Sequence, residues 1–260
     1  MDCKLKKLYR EFYKQAFIPI FVKDGRDARI QVEACVKAGF KIIEFTQRRE
    51  DLIEMLAWIK KEYPELYVLA GSTIDNDAIV NSQKRHYPQL LTLDELADSG
   101  VDGFVSMLKF SDSTIKKYCD RYLMIPCAST LNEAYDLLSS GAHFIKIIGP
   151  DLDLLGKISS APLFKFCPVF ITGGMNLEKI PQVMNSGAVM VASGFDLILK
   201  DINEINVDSI CEAVKAYQKK AIESRSVAYP EFSKALYCCE NDEWIEKLPH
   251  YSGFGVNNEC

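Results

Sequence analysis

Short apolar runs alternate with amphipathic stretches along most of the chain. A short run rich in Val, Ile, Leu and Phe predicts a buried strand, whereas apolar residues three or four positions apart predict a helix. The runs that we interpret as strands cover residues 17–22, 41–46, 66–70, 101–106, 122–126, 142–148, 168–172 and 188–192. Helices are predicted at residues 3–15, 26–38, 50–62, 91–98 and 207–222, and another begins near residue 129.

This alternation predicts an α/β protein with a (β/α)8 TIM barrel. Eight strands alternate with helices in a chain of 260 residues, a length typical of that fold. An open doubly wound sheet is the alternative, but the Gly-x-Gly-x-x-Gly motif of dinucleotide-binding sheets is absent. We expect residues 1–222 to form the barrel with an N-terminal leader helix. Residues 223–260 then form a C-terminal extension that packs on the barrel or on a neighbouring subunit.

A polar connector, residues 74–89, interrupts the repeat after the third strand. Loops of this length are usually functional lids or disordered segments. Lys84, Arg85 and His86 make the connector basic, so one hypothesis is that it closes over an anionic substrate. The alternative is a solvated surface loop.

Composition narrows the classes of partner. The net charge of -5 gives no sign of binding to nucleic acid or to an anionic membrane, and no apolar run reaches membrane-spanning length. Residues 1–15 lack the apolar core of a signal peptide, and the nine cysteines are scattered without zinc-site spacing. We therefore expect a soluble cytoplasmic protein with reduced thiols that needs no metal or cofactor.

Lys146 is the most unusual residue of the pattern because it lies within an apolar run, Ala142 to Ile148. A buried ammonium group is costly, so it either finds a carboxylate partner or gives up its proton. A neutral lysine amine is a nucleophile that forms Schiff bases with carbonyl substrates. The simpler interpretation is a lysine whose stem packs and whose charged end reaches solvent.

Further polar residues follow the strands at the end where this fold places its active sites. Glu44 is a carboxylate within the second strand, and it could move protons for a Schiff-base lysine or merely keep Lys146 charged. Arg48 could hold a substrate carboxylate through two parallel N–H···O bonds, or lie in solvent. The remaining candidates follow the third, seventh and eighth strands: Thr73, Thr172, Gly173, Gly174, Ser193 and Gly194. The glycines suit a phosphate site, although Gly173 and Gly174 could be only a tight turn.

At these residues the chain resembles a family of class I aldolases, the 2-keto-3-deoxy-6-phosphogluconate aldolase / 4-hydroxy-2-oxoglutarate aldolase family. Residues 44–48 are similar to its Glu-x-Thr-x-Arg segment, residues 70–73 to its Gly-x-Gly-Thr turn, residues 125–133 to its fifth-strand motif, and residues 172–175 to its Thr-Gly-Gly-Ile phosphate turn. The resemblance covers about residues 17–200. It implies that Lys146 forms the Schiff base and that the protein is a homotrimer.

The same resemblance implies the roles of the other site residues. Glu44 corresponds to the proton shuttle, Arg48 to the carboxylate binder, and Thr73 to a residue of the pocket. Cys127 replaces a usual glycine, and Ser193 and Gly194 lie where the family has Gly-Gly-Ser after the eighth strand. This difference after the eighth strand predicts weaker binding of phosphate than in the family.

We therefore expect a class I aldolase that cleaves a 2-keto-3-deoxy sugar acid, 6-phosphorylated as in the family, to pyruvate and an aldehyde such as glyceraldehyde 3-phosphate. The alternative is a catalytically reduced barrel that binds a sugar acid or sugar phosphate as a sensor or scaffold. A phosphate-binding isomerase or synthase barrel is a weaker alternative, in which Lys146 has no covalent role.

Overall fold

The computed structural model of the protein describes residues 3–22, 27–159, 167–238 and 243–249. These residues contain the parallel strands β1 Phe17–Phe21, β2 Ile42–Thr46, β3 Tyr67–Thr73, β4 Gly103–Ser106, β5 Leu123–Ile125, β6 Ile145–Ile148, β7 Val169–Thr172 and β8 Ala188–Gly194. Each strand lies at one of the predicted apolar runs. Most of their side chains are buried on both faces, as expected for strands that helices cover.

The strands form one sheet in the order β5-β4-β3-β2-β1-β8-β7-β6. Its two edge strands approach each other, because the Lys146 amide donates to the Pro126 carbonyl at 2.8 Å and the Ala128 amide donates to the Lys146 carbonyl at 3.0 Å. The sheet is thereby nearly closed on itself. The predicted (β/α)8 TIM barrel is confirmed.

Helices cover the outside of the barrel and lie at both ends of the chain. They are α1 Cys3–Gln15, α2 Ala28–Lys37, α3 Leu52–Glu62, α4 Asp77–Gln83, α5 Leu93–Asp98, α6 Asp112–Tyr118, α7 Leu131–Ser139, α8 Leu152–Ser159, α9 Lys179–Asn185, α10 Phe195–Ile198, α11 Val207–Ala228, α12 Pro230–Cys238 and α13 Glu243–Glu246. In the described part of the chain, none has the length and apolar character needed to cross a membrane.

Several helical regions differ from the pattern-based prediction, which contains no helices at α8, α9, α10, α12 and α13. The prediction lacks α6, because only two of its side chains, Ile115 and Tyr118, are buried and the apolar period is therefore weak. α4 occupies much of the polar connector. α11 continues beyond residue 222 to Ala228, so one continuous helix crosses the predicted start of the C-terminal extension. The end of that extension, residues 250–260, lies outside the described residues.

Two apolar clusters result from the alternation of side chains along the strands. One lies between the sheet and the surrounding helices and contains, for example, Ile43, Phe45, Ile145 and Ile147. The other fills the inside of the barrel and continues into α1, α12 and α13. Because successive strand residues point to opposite faces, residues that lie between outward-facing neighbours point into the barrel.

α1 closes the end of the barrel at which the strands begin. Gln15, its last residue, accepts hydrogen bonds from the Lys41 and Ile42 amides at 2.8 and 2.9 Å and donates to the Ile42 carbonyl at 2.7 Å. Phe12 packs against Phe144 with the ring centroids 4.6 Å apart. With this end filled, the opposite end, at which the strands finish, is left for a site.

Candidate active site

Lys146 points into the barrel from the middle of β6. Its neighbours Ile145 and Ile147 belong to the outer cluster, whereas Phe144 belongs to the inner one, so the strand period places Lys146 inside. Its side chain is almost fully buried, with 5% exposed. The structure therefore places the lysine within the barrel rather than at the surface.

Glu44 points into the same interior from β2 and is only 1% exposed. Gly71 on β3 makes room for it, since a Cβ atom built on Gly71 would lie 2.2 Å from the Glu44 Oε1 atom. Any side chain at residue 71 would thus displace the carboxylate. The Glu44 Oε2 atom is buried and has no hydrogen-bond partner among the described residues.

The electrostatics of Glu44 connect it with two cations. Burial raises the pKa of the Glu44 carboxyl above its usual value, while the positive charges of Lys146 and then Arg48 act in the opposite direction. Within the described part of the chain, no hydrogen bond or ion pair joins Glu44 to Lys146. The two groups therefore influence each other across the interior without neutralising each other in a contact pair.

Arg48 lies at the mouth of the barrel, after the end of β2, and is exposed. It borders a cleft of about 1010 Å³ that is also lined by Gln47, Glu50, Ser72 and residues 86–90, at the end of the connector and just beyond it. Gln47 is buried, and its Oε1 atom accepts a hydrogen bond from the Leu91 amide at 2.6 Å, which ties the connector to the end of β2. The end of the connector therefore forms one wall of the cleft that Arg48 borders.

Thr73 is buried at the end of β3. Its buried hydroxyl donates to the Val105 carbonyl at 3.0 Å, and the Ser106 hydroxyl donates to the Thr73 carbonyl at 2.7 Å. Ser72, with φ 59°, is the residue of this turn that faces the cleft. Thr73 thus joins β3 to β4, and its role in the pocket stays a prediction.

The loops after β7 and β8 bring the remaining candidates together. Gly173 and Gly174 have φ values of 89° and 66°, which glycine adopts without strain, and they follow the buried Thr172. The Ser193 hydroxyl donates to the Met175 carbonyl at 2.7 Å and so fastens the two loops to each other. We call Thr172–Gly174 with Ser193 and Gly194 the distal cup.

Three residues beyond the predicted set border these groups. Cys127 pairs with Lys146 across the parallel strands, and the nearby positive charge of Lys146 opposes the rise that burial causes in the pKa of the thiol. Lys179 and Asp196 flank the distal cup from α9 and α10. The unusual cysteine in the fifth-strand motif was a signal for the first, whereas no sequence pattern points to the other two.

In the described part of the chain, no group of three or more His, Cys, Asp or Glu side chains is arranged to hold a metal ion. The groups that the barrel does bring together are an amine, a carboxylate and a guanidinium at one mouth. Such a set can attack a carbonyl, transfer protons and hold an anion.

Comparison with known proteins gives the fold but no family assignment. The sequence matches no protein-family model, and no curated protein sequence matches it. Among solved structures, a 2-keto-3-deoxy-6-phosphogluconate aldolase from Zymomonas mobilis is similar at a TM-score of 0.59 and 20% identity, over 81% of this chain and 94% of its own. The chain has the fold of these aldolases.

Two further structures show how broad that likeness is. An aldolase from Legionella pneumophila, with pyruvate captured as a covalent carbinolamine intermediate, has a TM-score of 0.58 and 20% identity, over 81% of this chain and 95% of its own. A thiamine phosphate pyrophosphorylase from Pyrococcus furiosus has a TM-score of 0.57 and 15% identity, over 82% of this chain and 98% of its own. Since differently named enzymes share the fold, the chemistry has to be argued from the side chains of this chain.

Proposed function

We propose that this protein is a class I aldolase that cleaves a 2-keto-3-deoxy sugar acid to pyruvate and an aldehyde. The observation that carries the proposal is the joint burial of Lys146 and Glu44 in the barrel interior without a contact ion pair. A structural ion pair would neutralise both charges in contact, whereas a reacting carbonyl group needs space between amine and carboxylate. The similarity to aldolase structures supports the same chemistry.

The proposed reaction begins with attack of the neutral Lys146 amine on the keto carbon of the substrate. The resulting carbinolamine loses water to give an iminium ion, and Glu44 carries the protons that these steps require. Cleavage of the C3–C4 bond then leaves its electron pair on the iminium as an enamine, while the C4 hydroxyl loses its proton to the carboxylate and becomes the aldehyde. Protonation of the enamine at C3 and hydrolysis release pyruvate and the free lysine.

The other groups at the mouth have binding roles in this proposal. Arg48 holds the substrate carboxylate, because a guanidinium can form two parallel hydrogen bonds to it. The distal cup receives the far end of the substrate. A homotrimer and a cytoplasmic location stay predictions from the resemblance and the composition, and sedimentation and imaging of the tagged protein test them.

Borohydride reduction in the presence of pyruvate tests the covalent step. We expect one reduced adduct per chain, located at Lys146 by peptide mass spectrometry. Lys146→Met should abolish both the adduct and turnover, whereas Glu44→Gln should keep some adduct and lose most turnover, because the amine remains but the proton carrier does not. Lys41→Met serves as the matched control, because it removes an exposed lysine just before the start of β2, away from the mouth of the barrel. It should change neither the adduct nor turnover.

The same experiment separates the proposal from its main alternative. A wild-type protein that gives no adduct with pyruvate or any other 2-keto acid would contradict the aldolase function. If sugar acids nevertheless raised its melting temperature, the binding role as a sensor or scaffold would take the place of catalysis.

A further inference from the structure

The distal cup is the part of the site that selects the far end of the substrate. In barrels of this type, the loops after the seventh and eighth strands often bind phosphate through backbone N–H groups. Here the Ser193 hydroxyl already donates to the Met175 carbonyl, so its proton is not available to a bound anion. The charged side chains beside the cup therefore decide which chemical group it favours.

Two charged side chains of the described residues flank the cup, and they make different contacts. The Lys179 ammonium donates to the Gly174 carbonyl at 3.0 Å, so one of its N–H groups already has an acceptor in the loop after β7. Asp196 lies directly against Gly194, since a Cβ atom built on Gly194 would be 2.4 Å from the Asp196 Oδ1 atom. Among the residues that the structure describes, the Asp196 carboxylate has no hydrogen-bond or ion-pair partner.

A carboxylate that has no partner among the described residues opposes a phosphate at this place and favours a hydroxyl group. A phosphate dianion beside Gly194 would be repelled by Asp196, whereas a sugar hydroxyl can donate a hydrogen bond to it. We infer that the distal cup receives the unphosphorylated, hydroxyl-bearing end of a 2-keto-3-deoxy sugar acid, and that Asp196 is the specificity residue that disfavours its 6-phosphate. This inference rests on the proposed aldolase function and narrows its substrate class.

The decisive measurement compares kcat/KM for 2-keto-3-deoxygluconate and for its 6-phosphate. The wild-type enzyme should use the unphosphorylated acid at least as well as the phosphorylated one. Asp196→Asn should raise kcat/KM for the phosphorylated acid about tenfold, mainly through KM, and change the value for the other acid less than about threefold. Because Asp196 is exposed, added salt should reduce the difference between wild type and variant.

Asp201→Asn is the matched control, because it removes one negative charge from an exposed residue just beyond α10. It should leave the preference between the two acids unchanged. Asp196→Ser provides a second variant with the same expected direction as Asp196→Asn. A wild-type preference for the phosphorylated acid above about a hundredfold, or an unchanged preference in both Asp196 variants, would overturn the inference.

Binding of inorganic phosphate gives a readout that does not depend on turnover. Titration calorimetry should show that Asp196→Asn binds phosphate at least about fivefold more tightly than the wild-type and Asp201→Asn proteins do. Equal affinities would count against the role of Asp196 even if the aldolase function holds. Conversely, absence of a pyruvate adduct would refute the aldolase function, while the phosphate titration would still report on the cup.

Discussion

Glu44 is a carboxylate in a strand whose neighbouring interior position, Ile42, is apolar. In the sequence this is visible as a charged residue within an apolar run, and the strand period then places its side chain on the inside. The sequence does not show that Gly71 opens the space for it, because residue 71 lies on the next strand. The sequence thus indicated that these polar side chains are buried in the barrel, but not which residues surround them.

The raised pKa of Glu44 predicts a pH-dependent effect on stability. Below the usual value of 4.5 the carboxyl is neutral in the folded and unfolded states, and as the pH rises through the folded-state pKa the buried group ionises at a cost. Glu44→Gln should therefore be more stable than wild type at pH 8, by about 1 kcal/mol, the usual size of a single-residue effect, and this advantage should shrink toward pH 4.5. Urea unfolding of both proteins across this range measures the difference.

A control isolates the effect of burial. Glu33→Gln changes an exposed glutamate on α2 and should give a difference from wild type that stays nearly constant over the same pH range. If Glu44→Gln were less stable than wild type at pH 8, the carboxylate would be stabilised by its cationic neighbours more than it is penalised by burial. The assignment of burial as the dominant cause would then be wrong.

At the scale of elements, the connector between β3 and β4 is the clearest addition to the repeat. Lys84 does not face a substrate, because its ammonium pairs with Glu95 at 2.7 Å. Arg85 donates to the Ser82 carbonyl at 3.1 Å, and only His86 of the three basic residues lines the cleft beside Arg48. Of the three basic residues in the hypothesis of a closing loop, only His86 is therefore placed to contact a substrate in the cleft.

This placement predicts that the three residues affect kinetics unequally. His86→Ala should raise KM for the keto acid about threefold or more with kcat nearly unchanged, because it removes a group from the wall of the cleft but none from the reacting centre. Arg85→Ala should leave both parameters unchanged and is the matched control. Steady-state kinetics with equal responses of the two variants would favour a solvated loop without a role in binding.

At the scale of the whole molecule, the first and last described helices, α1 and α13, meet at the end of the barrel where the strands begin. Trp244 is fully buried, 6.0 Å from Tyr9 and 5.8 Å from Tyr13 between ring centroids. Arg225 on α11, also fully buried, donates to the Val189 carbonyl of β8 and to the Tyr237 hydroxyl of α12. The barrel end remote from the cleft is therefore covered by α1, α12 and α13. We expect these helices to stabilise the fold.

Truncation of Trp244 tests whether these helices contribute to stability but not to catalysis. Trp244→Ala should lower the free energy of unfolding by about 3 kcal/mol, because it empties a fully buried site. Val227→Ala, at a side chain that is 76% exposed, should change it by less than about 0.5 kcal/mol. The Trp244 variant should still form the pyruvate adduct at a temperature at which it is folded. A large loss of adduct in the folded variant would show that these helices also shape the catalytic end.

By itself the sequence determined the repeating strands and helices, the barrel that follows from them, and the unusual burial of Lys146 and Glu44. These features are encoded locally, in the spacing of apolar residues along one element, and that spacing is readable without knowing what the element packs against. Helices α6, α8, α9, α10, α12 and α13 were not predicted. In α6 only Ile115 and Tyr118 are buried, so its apolar period is weak.

Only the tertiary structure decided which side chains share a space. The neighbours are Glu44 and Gly71, Cys127 and Lys146, Asp196 and Gly194, and Lys179 and Gly174, and their contacts depend on strand register and loop geometry. The residues of the first two pairs are far apart in the chain, and no local pattern relates them. The reason is that closing the sheet fixes the distances between residues far apart in the chain, whereas the apolar period fixes only the direction in which each side chain points.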